Sequence, residues 1–365
     1  MGHPLAEFVP KFCPWPKCRF HLSGDGWTWV RFGSFTRRCE PRTIPRFRCG
    51  HCRRTFSSQT FSTTYYLKRP EIQLPLFYRL LTCAGYRQMA REMRCDPTTV
   101  MGQAARLGRH ALLAQHRLRG GKTLDEPLVI DGFESFAYSQ YHPLHLNLGV
   151  GARSHFTYGF THSELRRKGK MRASQKRRRG WLETTFGRPD PKAIEKDMAD
   201  AVKIAAPEPQ AIVLRSDEHP AYPRALRRLG EWTIRHECTP SVLARTKRNP
   251  LFPVNRMDLL LRHSSANHKR ETIAFSKRHQ SVVERAAVLV LWQNFSKHFS
   301  ENGRAGSPAM FAGITDRLIP IPELLEERLF PSRVALPTPW RDYYRRLVPT
   351  RRIENPRIHR LVRAF

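Results

Sequence analysis

The sequence predicts a multidomain α/β protein, and three observations carry the prediction. Two closely spaced cysteine pairs come first, a stretch of helical periodicity follows, and two apolar, strand-like runs further on each end at an aspartate. The chain has 365 residues, enough for two or three domains with a substantial core. We expect domain boundaries near residues 62, 120 and 300.

The charge of the chain indicates its partner. Lys and Arg number 64 against 31 acidic residues, giving a net charge of +33. Such an excess favours a polyanionic partner, and nucleic acid is the default. A membrane partner is disfavoured, because the longest purely apolar run, Ala286 to Trp292, is too short to span a bilayer. Met1 to Pro10 lacks signal-peptide character, so we expect an intracellular protein.

The cysteines have the spacing of a zinc site. Cys13 and Cys18 enclose a turn with two prolines, and Cys49 and Cys52 enclose Gly-His. Four thiolates satisfy the tetrahedral geometry of Zn²⁺ and leave no open position, so this zinc is structural. We interpret residues 1–62 as a zinc ribbon. The alternative is two unrelated pairs of buried cysteines, and Cys39 and His51 are possible substitute ligands.

Residues 63–120 have the pattern of a helix-turn-helix. A short helix is predicted from Tyr86 to Met93, then a turn, then a second helix from Pro97 to about Leu107, with Asp96 as its N-cap. If the second helix enters a major groove, the expected DNA contacts on the two helices are Arg87, Arg91, Thr98, Thr99, Gln103 and Arg106. The alternative is an ordinary helical hairpin of a small bundle.

Residues 121–300 are predicted to form the catalytic core. Strands are expected at Leu128–Asp131, around residues 136–160 and at Ile212–Asp217, with helices between and after them. Three antiparallel strands followed by alternating helix and strand is the ribonuclease-H-like order, a mixed five-stranded sheet flanked by helices. Asp131 and Asp217 would end neighbouring strands and share divalent metal. The alternative for either aspartate is a turn or capping residue.

Two basic segments surround this core. Residues 163–180 form a basic insertion, read as a loop that grips phosphate through residues such as Arg177 and Arg178. Residues 301–365 form a proline-rich basic extension. It is predicted to wrap the core, to wrap DNA, or to be a loosely ordered tail, and the sequence leaves these alternatives open.

Three fragments resemble the core of bacterial insertion-sequence transposases. They read VIDGFESF, RSDEHPAY and LLLRHSSANHKRETIAFSK, and they are most similar to the small class that joins a zinc ribbon, a helix-turn-helix and a DDE-type ribonuclease-H-like domain. The resemblance implies that Asp131 is the first catalytic acid and Asp217, followed by Pro220 and Tyr222, the second. Glu271 departs from the family signature, which has a basic residue there.

The third acid departs from the family pattern more seriously. The family has a glutamate seven residues before the Arg that corresponds to Arg262, and this chain has Asn255 there. Asp258 lies one helical turn further along on the same face and is our choice, with Glu284 as the alternate.

The resemblance implies a DNA transposase that cuts element ends and transfers strands with Mg²⁺ or Mn²⁺ as catalytic ion. Its partner would be double-stranded DNA, bound as a homodimer or higher oligomer, in the nucleoid region of a bacterial cytoplasm. Two alternatives remain: a zinc-dependent DNA-binding protein with a non-catalytic, transposase-derived core, and a nuclease or junction-resolving enzyme without strand transfer.

Overall fold

A computed structural model describes residues 8–355 and 358. The first seven residues of the predicted ribbon lie outside the described residues. So do 356, 357 and 359–365, which include Arg357, Arg360 and Arg363 of the basic C-terminal run. Among the helices described, none is long and apolar enough to cross a bilayer.

The N-terminal part contains a small antiparallel sheet. Its strands are β1 (Trp29–Thr36), β2 (Thr43–Cys49) and β3 (Thr55–Ser57), paired in that order. The sheet has little aliphatic core, and buried aromatic rings take that place. Phe47 and Phe56 stack at 5.6 Å, and Phe61 meets Phe56 edge-on at 5.9 Å. A core this small needs a further cross-link to be stable.

Three helices follow: α1 (Gln73–Leu80), α2 (Tyr86–Glu92) and α3 (Pro97–Arg119). The side chain of Asp96 accepts a hydrogen bond from the Thr98 amide at 2.7 Å, as expected of an N-cap. The prediction that the second helix ends near Leu107 is wrong. α3 continues for three more turns because residues such as Ala111 and Leu112 remain buried and pack against a later helix.

A five-stranded mixed sheet forms the centre of the protein. Its strands are β4 (Leu128–Phe136), β5 (Pro143–Gly151), β6 (Thr157–Glu164), β7 (Ala211–Ser216) and β8 (Thr233–Cys238). The spatial order is β6-β5-β4-β7-β8. β5 is antiparallel to β4 and β6, whereas β7 and β8 are parallel to β4. The predicted α/β class with a mixed five-stranded sheet is confirmed at this level.

Helices cover the sheet and connect its strands. They are α4 (Ala173–Phe186), α5 (Ala193–Ala205), α6 (Ala221–Leu226), α7 (Phe252–Ser264) and α8 (His279–Phe295). α4 corrects one expectation, because the second half of the predicted basic loop 163–180 is helical. Leu182 is the buried residue of α4, so most of this helix faces solvent.

The C-terminal extension wraps the core. It contains α9 (Pro308–Phe311), α10 (Ile321–Leu324) and α11 (Thr338–Arg345). Trp340 is buried and donates its indole N–H to the carbonyl of Phe160 in β6 at 2.9 Å. Phe330 packs edge-on against Phe12 at 5.4 Å, and Ser332 lies 2.8 Å from the His21 ring, so the extension also ties the N-terminal sheet to the rest.

The contact between α3 and α8 makes a stability prediction possible. A Cβ on Gly108 would lie 2.5 Å from the Glu284 carbonyl oxygen, because the two backbones touch there. A Cβ on Gly102, six residues earlier in α3, would meet nothing within 4 Å. We expect Gly108→Ala to lower the free energy of unfolding by about 1–3 kcal/mol through overpacking. Gly102→Ala should instead raise it by about 0.5–1 kcal/mol. Urea denaturation of both variants checks this, and equal effects would contradict the close approach.

Candidate metal centres

The first candidate centre is the cysteine cluster. The Sγ atoms of Cys13, Cys18, Cys49 and Cys52 all lie within 4.8 Å of one another, and three of the four residues are buried. Burial alone would raise the pKa of Cys49. Hydrogen bonds donated by the Trp27 indole and the Cys52 amide outweigh it and lower that pKa to about 7. Four converging thiols match the ligand set of structural zinc, so the cluster can bind zinc. Cys39 lies apart, with its thiol directed at the carbonyl of Leu67.

The second candidate centre lies where β4 and β7 run side by side. Leu128 pairs with Leu214 and Val129 with Arg215. Continued by two residues, that parallel register sets Asp131 beside Asp217. β7 ends at Ser216, so Asp217 follows a strand as predicted. Asp131 does not end its strand: β4 continues to Phe136, and Asp131 pairs with Leu148 of β5. The expectation for Asp131 is corrected, because pairing with β5 extends β4 past it.

The charges of these aspartates influence each other. Burial raises the pKa of Asp131, and the negative charge of Asp217 raises it further. Asp131 Oδ1 accepts hydrogen bonds from the Gly132 amide at 2.7 Å and from the Tyr222 hydroxyl at 2.9 Å. Asp217 accepts one from the His219 amide at 2.9 Å. The backbone and Tyr222 therefore hold both carboxylates in place.

Asp258 joins this group from α7, which packs on β4 and β5. Burial, followed by the charge of Asp131, raises the pKa of Asp258 to about 8. The pKa of Tyr222 is raised by burial and by the charges of Asp131, Asp217 and Asp258, so all three acids lie close enough to influence this one hydroxyl. The structure brings together the three aspartates singled out in the sequence. We call them the carboxylate cluster.

The donor set of the carboxylate cluster fits a divalent cation. Asp258 Oδ1 is buried and has no hydrogen-bond partner among residues 8–355 and 358. A buried carboxylate oxygen that lacks a partner and lies near the charge of Asp131 is costly unless a cation compensates it. Oxygen ligands are what Mg²⁺ and Mn²⁺ prefer. Within the described residues only the four cysteines form a group tight enough for all ligand atoms to fall within 4.8 Å, so the carboxylates are more widely spaced.

Glu284, the alternate third acid, lies elsewhere. It is buried in α8 and accepts hydrogen bonds from Arg346 at 2.9 Å and from Gln280 at 3.0 Å. Its backbone touches α3 at Gly108. The choice of Glu284 is therefore corrected: it forms a buried ion pair that joins α8 to the C-terminal extension.

The predicted DNA contacts divide into two groups. Arg87, Arg91 and Thr98 are exposed and Thr99 is partly exposed. Gln103 and Arg106 are not directed outward as predicted. Gln103 is buried and donates to the Arg69 carbonyl at 2.9 Å, and Arg106 donates to the carbonyls of Thr63 and Tyr65. The reason is that residues 63–69 fold back over α3 and cover this face.

Two of the exposed predicted contacts, Arg87 and Arg91, belong to a concave basic surface. Arg87, Arg91 and Arg94 line a shallow hollow of about 440 Å³ where α2 meets α3. Arg177 and Arg178 are exposed on α4, which follows the edge strand β6.

Sequence reasoning missed two residues that lie near the carboxylate cluster, Arg245 and His145. The charge of Arg245 lowers the pKa of both Asp131 and Asp258, and Arg245 itself is exposed. The ring of His145 fills the space where a Cβ on Gly132 would stand, 1.4 Å from its Cε1. Gly132 was a signal for His145, because a glycine inside a strand often marks a close approach. Nothing in the local sequence distinguishes Arg245 from Arg248, the other arginine of the same loop.

Comparison with known proteins adds a distant structural similarity. No family model matches the sequence, and no curated protein matches it. Among solved structures, the chain is similar to a chain of the simian T-cell lymphotropic virus intasome, solved by cryoEM in complex with PP2A regulatory subunit B56 gamma. The match covers 68% of this chain and 76% of that chain, with 16% sequence identity and a TM-score of 0.25. Similarity this low assigns no function, which must be inferred from the chain's own geometry.

Proposed function

We propose that the chain is a metal-dependent phosphoryl-transfer enzyme acting on DNA, of the DDE transposase type. The observation that carries the proposal is the carboxylate cluster: the β4–β7 register sets Asp131 beside Asp217, Tyr222 holds Asp131, and α7 packs on β4 with Asp258 close enough to feel the charge of Asp131. Support comes from the order of the strands in the central sheet, β6-β5-β4-β7-β8. Only β5, the second of these strands along the chain, is antiparallel to the others, and this is the ribonuclease-H-like order.

The residues of the cluster have separable roles in this proposal. Two Mg²⁺ or Mn²⁺ ions held by the three carboxylates would supply an activated nucleophile and stabilise the leaving oxygen. Tyr222 fixes Asp131 through its hydroxyl. Arg245, exposed and close enough to influence two of the acids, would hold a phosphate of the scissile strand. No side chain need act as a covalent nucleophile, so catalysis is mostly positioning and charge neutralisation.

Double-stranded DNA is the proposed partner. The net charge of +33 favours binding to phosphate, and the basic hollow of Arg87, Arg91 and Arg94 with the nearby Thr98 and Thr99 offers one contact surface. Arg177 and Arg178 on α4 offer a second. Zinc in the cysteine cluster would stabilise the N-terminal sheet. Assembly as a homodimer or larger oligomer on paired DNA ends remains a prediction.

Replacing either of the two adjacent acids should abolish cleavage. With linear DNA that carries the terminal sequences flanking the gene, and Mg²⁺ or Mn²⁺, we expect Asp131→Asn and Asp217→Asn each to slow nicking by about 100-fold or more. The reason is that a catalytic metal ion contributes several kcal/mol and each 1.36 kcal/mol is tenfold in rate. Asp316→Asn, at an exposed aspartate of the extension, is the matched control. Nicking that persists in both cluster variants would exclude the proposal.

A second candidate function is a zinc-dependent DNA-binding protein whose core does not cut DNA. Two observations favour it: Asn255 stands where the resemblance implies the third acid, and the three carboxylates are spaced more widely than the cysteines. The same assay separates the two functions. Wild-type protein that binds the end DNA with zinc but never nicks it in Mg²⁺ or Mn²⁺ would support this second function.

A further inference from the structure

A large basic groove lies between the N-terminal sheet and the segment that leads into α1. It has a volume of about 1250 Å³ and is bounded by β2, β3 and residues 65–68. Among the residues that the structure describes, no aspartate or glutamate lines its walls. The cationic residues lining it are Arg37, Arg38, Arg46, Arg53, Arg54 and Lys68. We call this the ribbon groove. The lining of the groove is strongly positive, so it favours an anionic ligand.

Some of these cations are already engaged and others face solvent. Arg37 donates hydrogen bonds to the carbonyls of Glu40 and Pro41 and to the side chain of Gln59. These contacts hold residues 37–41 and Gln59 together at the edge of the groove. Arg38, Arg53 and Lys68 are exposed. A ligand with phosphates spaced along its length would contact several of these positive charges at once. A single small anion would contact only a few of them.

The groove also contains aromatic side chains. The Arg54 guanidinium lies 3.6 Å from the centroid of the Trp15 ring, forming a flat platform. Tyr65 and Tyr66 meet edge-on at 4.7 Å, and Tyr65 is held in turn by Arg328 of the C-terminal extension. Tyr66 is 67% exposed and Phe35 is 41% exposed. Rings and guanidinium planes of this kind are where unpaired bases stack.

Two residues that line the groove have a strained backbone conformation, which seven other non-glycine residues of the described chain also have. Tyr66 has φ +62° and Arg53 has φ +61°, in the left-handed region that side chains other than glycine rarely adopt. Both residues line the groove. Such strained positions cluster at binding and catalytic sites, because the surrounding structure must over-determine them.

We propose that the ribbon groove binds single-stranded DNA, with phosphates on its exposed cations and bases stacked on its aromatic side chains. The bases of a duplex are already stacked on each other, so the aromatic rings that line the groove could reach only its backbone. A single strand can enter and present its bases. The groove belongs to the N-terminal sheet rather than to the carboxylate cluster, so this binding does not depend on whether the chain cuts DNA.

The test measures the affinity of the zinc-loaded full chain for a fluorescent 12-nucleotide mixed-sequence strand and for the same sequence as a duplex. Anisotropy is read at about 0.15 M salt, where weak charge contacts are screened. We expect Tyr66→Ala to weaken single-strand binding about 5- to 150-fold, since stacking contributes about 1–3 kcal/mol per base and 1.4 kcal/mol is tenfold. Duplex affinity should be unchanged, and Tyr66→Phe should restore single-strand binding.

Tyr78→Ala is the matched control, because Tyr78 is 45% exposed on α1 and outside the groove. It should leave both affinities unchanged. Equal losses for strand and duplex with Tyr66→Ala, or no loss for the strand, would overturn the proposal. A second measurement does not depend on any variant: photocrosslinking of a 5-iodouracil strand to the wild-type chain should label the peptides that contain Trp15 or Tyr66. Labels confined to other regions would overturn it as well.

Discussion

Cys49→Ser is expected to release zinc and unfold the N-terminal sheet while the five-stranded sheet stays folded. The four thiols lie within 4.8 Å of one another around an aromatic core of a few rings. Structural zinc in such small folds contributes about 10–16 kcal/mol of apparent binding free energy, more than a core of this size supplies. Unfolding should also expose Phe330, which packs against Phe12 and Phe61 from the extension.

Cys39→Ser is the matched control for this prediction. Cys39 belongs to the same sheet region but lies outside the four-sulfur group. It should keep one zinc per chain by elemental analysis, whereas Cys49→Ser should lose it. Hydrogen exchange then locates the effect: amides of β2 should lose protection in Cys49→Ser, and those of β4 and β5 should keep it. Full zinc content in Cys49→Ser would contradict the assignment of the ligands.

Local spacing made the cysteine cluster predictable. Short spacing within each pair turns two thiols toward one point, so the sequence alone indicated which four residues would meet. The strand of Ile212–Asp217 was predictable for a similar reason, since a β-branched run ends at a polar turn. Asp131 was different. Asp131 lies within β4 because β4 pairs with β5 as far as Phe136. The local sequence alone does not predict how many residues two strands will pair over.

Long-range contacts decided the remaining differences. Gln103 and Arg106 sit at positions that a free α3 would expose, and they are covered because residues 63–69 return across the helix. The extension wraps the core through Trp340 and Phe330, which was one of the three alternatives that its proline-rich composition left open. Asp258 was chosen because it lies one helical turn beyond Asn255, the position that the resemblance implies for the third acid, and α7, which carries it, packs on β4 near Asp131. That packing raises the question of which acid is the third.

Asp258→Asn and Glu284→Gln should have opposite effects on activity and stability. In the nicking assay we expect Asp258→Asn to lose about 100-fold or more, for the same reason as the other two cluster acids. Glu284→Gln should still nick, because its side chain pairs with Arg346 rather than with the cluster. Instead, Glu284→Gln should lower the free energy of unfolding by about 1–3 kcal/mol, since it leaves the partly buried Arg346 without its charged partner. Loss of nicking in Glu284→Gln alone would reverse the assignment.

The pH dependence of the free energy of unfolding gives a second test of Asp258. It compares Asp258→Asn with the wild type in the absence of Mg²⁺ and Mn²⁺. Asp258 has an ordinary pKa of 3.8 when unfolded and a pKa of about 8 in the fold, where burial disfavours its charge. Between these values the unfolded chain ionises while the folded chain keeps its proton, so the wild type loses stability as pH rises. Asparagine has no proton to lose. The variant should therefore gain stability over the wild type progressively from about pH 4 to pH 8, reaching about 5–6 kcal/mol, because each tenfold difference in proton affinity between the two states is worth about 1.36 kcal/mol. Denaturation of the zinc-loaded chain without added Mg²⁺ or Mn²⁺ across this range measures the difference, and a difference that stayed constant with pH would show that the fold does not raise the pKa of Asp258.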